Sequence, residues 1–181
     1  EVLYDYILGR ANKADIKKYI RFNTTVSNII FNGSEFEITS LRKDLSGKTR
    51  HAKVEFTSDW KEDSKRRDFT INAMAQSLNS GDIIDPYGGR EDLDSKILRH
   101  VSEHFSEDPL RLIRAARFHA ILGFEIASST RKLLEQIVAS QELQTISKER
   151  IVKEIEKTAN RGDLNLFTKV LIDLEAWGVL F

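Results

Sequence analysis

Hydrophobic and polar positions change their period near residue 95. Before that point the apolar residues come in short runs. Thr25–Phe31 (TVSNIIF) is rich in β-branched and aromatic residues and ends at Asn32-Gly33-Ser34, a hairpin-type turn. Glu35–Arg42 (EFEITSLR) then alternates polar and apolar residues, the period of a half-buried strand. Two strands of one sheet are expected here. Leu45–Arg50 (LSGKTR) reads as a mobile loop. Ser64–Leu78 reads as a helix, with Phe69, Asn72, Ala73 and Gln76 at helical spacing. Gly81–Ile84 reads as a short strand, and Asp85–Gly89 as a turn.

After residue 95 only helices are expected. Ser106 is a candidate N-cap for a helix over Glu107–Leu122, with Pro109 in its first turn and Gly123 as its stop. Leu110, Ile113, Ala116, Ala120 and Ile121 form its apolar stripe. Further helices are predicted over Ser128–Ser140, from Ser147 to Thr158, and over Asp163–Trp177, the last with Phe167, Val170, Leu171 and Leu174 on one face. The fold class is therefore α+β: a small β-containing unit over residues 1–95, then an all-helical region over 96–181.

Composition narrows the function classes. The 181 residues carry 28 Lys+Arg and 28 Asp+Glu, a net charge of zero, so any nucleic-acid contact needs a local basic patch. With 40% hydrophobic and 31% charged residues the chain is globular rather than disordered. Without cysteine, disulfides and thiolate chemistry are excluded. No apolar run approaches the ~20 residues of a membrane span. Glu1–Arg10 lacks the charged-then-apolar pattern of a leader peptide, so a soluble cytoplasmic protein with no membrane partner is expected.

Two segments concentrate chemistry. In Lys65–Asn72 (KRRDFTIN), Arg66 and Arg67 can grip phosphate or ribose oxygens. Asp68 and Asn72, four apart, would share a helix face and could bond a ribose hydroxyl. The plainer alternative is a solvated, charged helix start. In Glu107–Arg117 (EDPLRLIRAAR), Asp108, Arg111, Arg114 and Arg117 follow at steps of three, a slanted ladder of one carboxylate and three guanidiniums. An acceptor beside donors complements a nucleobase edge. The alternative is a set of helix ion pairs, and Arg117, inside the apolar stripe, could be a buried structural arginine. Ile84–Leu93 is read as a rigid turn capping the next helix. His51, His100, His104 and His119 have no metal-ligand spacing.

Taken in order, RRDFTINAMA, IIDPYGGREDL, ILRHV, EDPLRLIRAARFHAILGFEI, SKERIVKEIEK and LFTKVLIDLEAWGVLF resemble consecutive motifs of the class II tRNA nucleotidyltransferase and bacterial poly(A) polymerase family, from about Glu35 to the end. The resemblance implies a nucleotidyltransferase head followed by a helical neck and the start of a body. It implies template-independent addition of CTP and ATP to the 3′ end of tRNA, of the CCA-adding type. Arg67 and Asp68 would contact ribose and phosphates, Asp108 and Arg111 would select the base, and Arg114 and Arg117 match further nucleotide-binding arginines. Mg²⁺ is the implied cofactor, and tRNA or another RNA 3′ end the implied partner.

The N-terminus departs from this pattern. Val2–Arg10 resembles the end of the family's glycine segment, but the segment's paired glycines and its arginine are absent, and Tyr4 precedes Asp5. Ala14-Asp15-Ile16 resembles the start of the metal strand, making Asp15 the candidate catalytic and metal residue, with Glu37 a possible further carboxylate. The residue two beyond Asp15 is Lys17, whose ammonium offers no lone pair to a cation. Either the chain is degenerate and inactive there, or intervening residues are absent at joins near Leu3–Tyr4 and Ile16–Lys17; the second is the expectation. The alternatives to CCA addition are a catalytically inactive RNA-binding paralogue and a poly(A)- or A-adding polymerase.

Overall fold

The computed structural model describes residues 16–21, 26–31, 34–44 and 54–181. The chain opens on a three-stranded antiparallel sheet, β1 (Ile16–Arg21), β2 (Val26–Phe31) and β3 (Ser34–Thr39), in the order β1-β2-β3. Both strands expected from the alternating pattern are present and pair directly, Phe31 opposite Ser34 and Val26 opposite Thr39. β1 runs through Ile16 and Lys17. The pairing slips between Ile16 and Lys18, which makes Lys17 the extra residue of a bulge. Asp15, the segment 2–10, the turn at 32–33, the loop 45–50 and His51 lie outside the described residues. Glu37 sits on β3 opposite Asn28.

A second ribbon joins β4 (Arg42–Asp44) to β5 (Val54–Phe56). The helix expected over 64–78 is not there. Instead a short α1 (Trp60–Ser64) is followed by a 3-10 turn at Thr70–Asn72, and β6 (Ala75–Gln76) pairs with β7 (Ile83–Ile84). The physical reason lies at Asp68 and Phe69. The Asp68 carboxylate accepts from the Phe69 N–H at 2.9 Å and from Asn72 Nδ2 at 3.0 Å, diverting local donors from a helix. Phe69 is extended and bridges to His100, Thr70 N donates to Arg99 O, and Val101 N donates to Asp68 O. Tertiary pairing thus outweighs the helical spacing.

Asp85 builds the expected turn: its carboxylate accepts from Gly89 N at 2.7 Å and Arg90 N at 2.9 Å, opening α2 (Gly89–Asp94). Two short strands follow residue 95, against the all-helical expectation: β8 (Ile97–Leu98) pairs in parallel with β9 (Glu125–Ile126). Residues 97–102 therefore stitch the Phe69 segment to the helices. Between β8 and β9, a 3-10 turn (Glu103–Glu107) precedes α3 (Leu110–Leu122). The Ser106 cap is not used, because Pro109 holds Asp108 extended at φ −118°, ψ 102° and the helix begins after it. Gly123, at φ 67°, ends α3 as expected.

The remaining elements are α4 (Ser128–Ala139), α5 (Lys148–Arg161), α6 (Leu164–Asp173) and α7 (Trp177–Leu180). The helix expected over 163–177 stops four residues early, where Glu175 takes φ 57°. α3 packs on both α5 and α6. The core runs through Leu112, Ile113, Ala116, Leu134, Phe167 and Leu171 into Phe69, whose ring meets Phe105 and Phe118 edge-on at 5.5 and 5.4 Å. The head loop and the helices thus share one apolar core.

A Cβ at Gly89 would press into the Thr70 carbonyl, which is backbone and cannot rotate away. Gly89→Ala is expected to lower stability by about 1–3 kcal/mol through forced backbone shifts. Urea unfolding measures this, and an unchanged midpoint contradicts the packing.

Candidate functional site: an arginine-lined cleft

The residues that close β3 and open α3 face one another across a cleft of about 690 Å³. Among the described residues its lining includes Arg42, Arg66, Arg67, Arg111, Arg114 and Arg150 against only Asp68 and Asp108. A chain of zero net charge therefore carries the local basic patch that an anion requires. Phe118 and Leu110 supply the apolar part of the wall.

The two motif segments meet here by direct bonds. Arg114 grips Asp68 through Nε at 2.8 Å and Nη2 at 2.5 Å. Arg111 donates to the His104 carbonyl at 2.6 Å and to the Arg66 carbonyl. Asp68 and Asn72 do meet, but through a loop and 3-10 turn rather than a helix face. Asp108 and Arg111 line the same cleft as Arg67, yet they are not a helix ion pair. Asp108 lies before the helix; its Oδ1 accepts from Leu110 N at 3.2 Å and its Oδ2 from Arg150 at 2.8 Å.

Arg117 is not among the cleft residues. It lies behind them, largely but not fully buried, bonded to Glu154 at 2.5 Å and stacked on Phe118 at 4.1 Å. The structural alternative describes its position: a guanidinium in an apolar stripe turns to the nearest buried carboxylate. Asp15 lies outside the described residues, and among those described no three His, Cys, Asp or Glu side chains gather to hold a metal ion.

Besides Arg42 of the lining, three charged residues that build the site went unnoticed in the sequence. Asp63, 1% exposed, binds Arg66 at 2.7 Å and Arg67 at 3.4 Å. Glu154, 3% exposed, binds Arg117 and Lys157 and lies 3.9 Å from Arg114. Arg150 holds Asp108. Glu154 had a signal: it shares the buried stripe of α5 with Ile151 and Thr158, where a charge needs a partner. Asp63 had none, because a five-residue helix has no readable period.

Burial alone would raise the Asp68 carboxyl pKa, but Arg114, Asn72 and the Phe69 N–H overcome it and hold the group below the usual carboxylate range. Asp63 and Glu154 behave alike: burial opposes ionisation, and their donors, Arg42 N and Arg66 for one, Lys157 and Arg117 for the other, outweigh it. Burial lowers the pKa of Arg111, against the pull of Asp108 and Asp68. Folded carboxyls more acidic than unfolded ones give stability that is complete above the unfolded range and is lost as pH falls through the folded values. Stability is thus expected to hold from about pH 6 to 8 and to fall steeply below about pH 4. Denaturant melts across that range with Asp68→Asn should show a smaller acid loss than the parent chain; an equal loss contradicts the assignment.

Residues 5–99 match the poly A polymerase head domain family. A CCA-adding enzyme of Pseudomonas putida is 48% identical over 137 residues, which cover 74% of this chain and 36% of that protein. A multifunctional CCA protein of Haemophilus influenzae is 50% identical over 123 residues, covering 66% and 29%. The chain therefore spans about a third of the length of these curated relatives. Among solved structures, the CCA-adding enzyme of Bacillus stearothermophilus in complex with CTP superposes with a TM-score of 0.78 at 32% identity, covering 98% of this chain and 47% of that one. A tRNA nucleotidyltransferase complexed with a primer tRNA and an incoming ATP analogue gives 0.81 at 27%, covering 99% and 51%. No helix among the described residues is long and apolar enough to cross a membrane. With its ordered motifs converging on one cleft and its head domain matched over more than half its length, the chain belongs to the tRNA nucleotidyltransferase and poly(A) polymerase family.

Proposed function

We propose that this chain binds the incoming nucleotide in template-independent addition of CTP and ATP to the 3′ end of tRNA, as a cytoplasmic enzyme of the CCA-adding type. The observation that carries the reading is the convergence of the Arg66–Asp68 segment and the Asp108–Arg114 segment on one basic cleft, locked by the Arg114–Asp68 pair. The names of the relatives agree with it. Arg66 and Arg67 carry donors suited to a triphosphate, and Asp68 has acceptors suited to a ribose hydroxyl. Asp108 accepts and Arg111 donates beside it, a pairing suited to a base edge. Arg114 holds Asp68, and Arg117 supports the wall from behind. Such groups act by orienting the nucleotide and balancing its charge.

The metal is Mg²⁺ in this reading, and Asp15 is the carboxylate offered to it. Lys17 stands two residues on, in the β1 bulge, and supplies no second carboxylate. That residue favours a second reading, in which the protein binds nucleotide and RNA without transferring. Labelled CTP and ATP offered with tRNAs ending before, within and after CCA distinguish the two: incorporation supports the enzyme, and binding alone supports the second.

Each charged hydrogen bond to a base is worth about 1.5–3 kcal/mol, so Asp108→Ala should reduce discrimination among CTP, ATP, UTP and GTP by roughly tenfold or more. Arg67→Ala should weaken all four about equally. Should Asp108→Ala leave the order and size of the preferences unchanged, Asp108 serves only the helix start and Arg150.

A further inference from the structure

The phosphate side of the cleft is built on a carboxylate that is not part of its lining. Asp63 is 1% exposed, at the end of α1. Its Oδ1 accepts from the backbone N–H of Arg42 at 3.0 Å and from Arg66 Nε and Nη2 at 3.2 and 2.7 Å. Its Oδ2 accepts from Arg67 Nη2 at 3.4 Å. One buried group thus reaches three cleft arginines, two through their side chains and the third through the β4 backbone. Arg66 spends two of its five N–H groups on Asp63. Arg67 is held from two more sides, donating to the Asn72 carbonyl at 3.2 Å and lying 4.5 Å over the Trp60 ring. Trp60 is itself anchored to Ala73 O at 2.8 Å.

We propose that Asp63 is a positioning residue for the nucleotide's triphosphate: it holds Arg66 and Arg67 as a pre-formed pair and sets Arg42 beside them. This rests on the nucleotide-binding reading above. Two flexible cations side by side would otherwise spread apart, and an anion would have to order them at its own binding step. Sugar and phosphate are common to all nucleotides, so the effect of Asp63 is blind to the base.

The test is equilibrium binding of CTP, ATP, UTP, GTP and inorganic tripolyphosphate to the parent chain, Asp63→Asn, Arg66→Ala and the double variant. Asp63→Asn should weaken all five probes by about tenfold with the order of bases kept. In the Arg66→Ala background it should add clearly less than that, because its effect passes through the arginines. The Arg66 Nε–H resonance should move in Asp63→Asn. Unchanged affinities, or losses that multiply independently, overturn the proposal. Where Asp63→Asn fails to fold, Asp63→Glu replaces it; tripolyphosphate affinity equal to the parent's, with the Arg66 resonance displaced, also overturns it. If the parent chain binds no probe, the nucleotide reading itself falls and takes this role with it; if the parent binds and only the Asp63 comparison is flat, the positioning role falls alone.

Discussion

Six guanidiniums can share one cleft only where negative charge is buried behind them. Two such charges about 6 Å apart repel by roughly 3 kcal/mol at an effective dielectric of about 20. Asp63, Asp68 and Glu154 are each less than a tenth exposed; Asp63 and Asp68 bond cleft arginines directly, and Glu154 lies 3.9 Å from Arg114. These carboxylates are dear to bury and become tolerable only with several donors apiece. Removing the arginines would therefore leave unpaired buried anions, and removing the carboxylates would leave crowded cations. The local basic patch and the local fold are one construction, which is why a neutral chain can present a strongly positive face.

The Asp68–Arg114 pair has a second consequence. It links residues 46 apart, one in a loop following α1 and the other on α3. The same two regions are tied by Arg111 to the Arg66 carbonyl, and by Ser102 Oγ donating to Lys65 O at 2.8 Å. The Phe69 ring, fully buried, is the apolar counterpart of these bonds. An aromatic core and a set of charge-assisted bonds thus fix the two walls of the cleft at one separation. The groups proposed to meet sugar and base are therefore held at a set spacing.

The sequence was most readable where one period ran long enough. The alternation over 35–42 marked β3, and the stripe through Ile113, Ala116 and Ala120 marked α3. It misled where side chains compete with backbone. Phe69, Asn72, Ala73 and Gln76 keep helical spacing, but Asp68 captures the Phe69 N–H and the segment pairs with residues 99–101 instead. The start of α3 was readable in principle, since a residue before proline avoids helical backbone, and Asp108 precedes Pro109. Of the cleft, Arg67, Asp68, Asp108, Arg111 and Arg114 were legible as charge clusters. Their partners were not, because Arg150 and Glu154 lie some forty residues away and only folding brings them near.

Asp108 and Arg111 show why position in the chain understates what a base would meet. Both already have protein partners: Leu110 N and Arg150 for the carboxylate, and the His104 and Arg66 carbonyls for the guanidinium. A base that takes hydrogen bonds from this pair would trade them against existing ones rather than fill vacant donors and acceptors. The net gain of such an exchange is much smaller than the gross strength of each bond. In the proposed reading a wrong base would forfeit the old partners without satisfying the new, and discrimination would arise from that asymmetry. In the same reading Arg150 is the partner that a base would displace from Asp108, which the Pro109 break keeps off the helix.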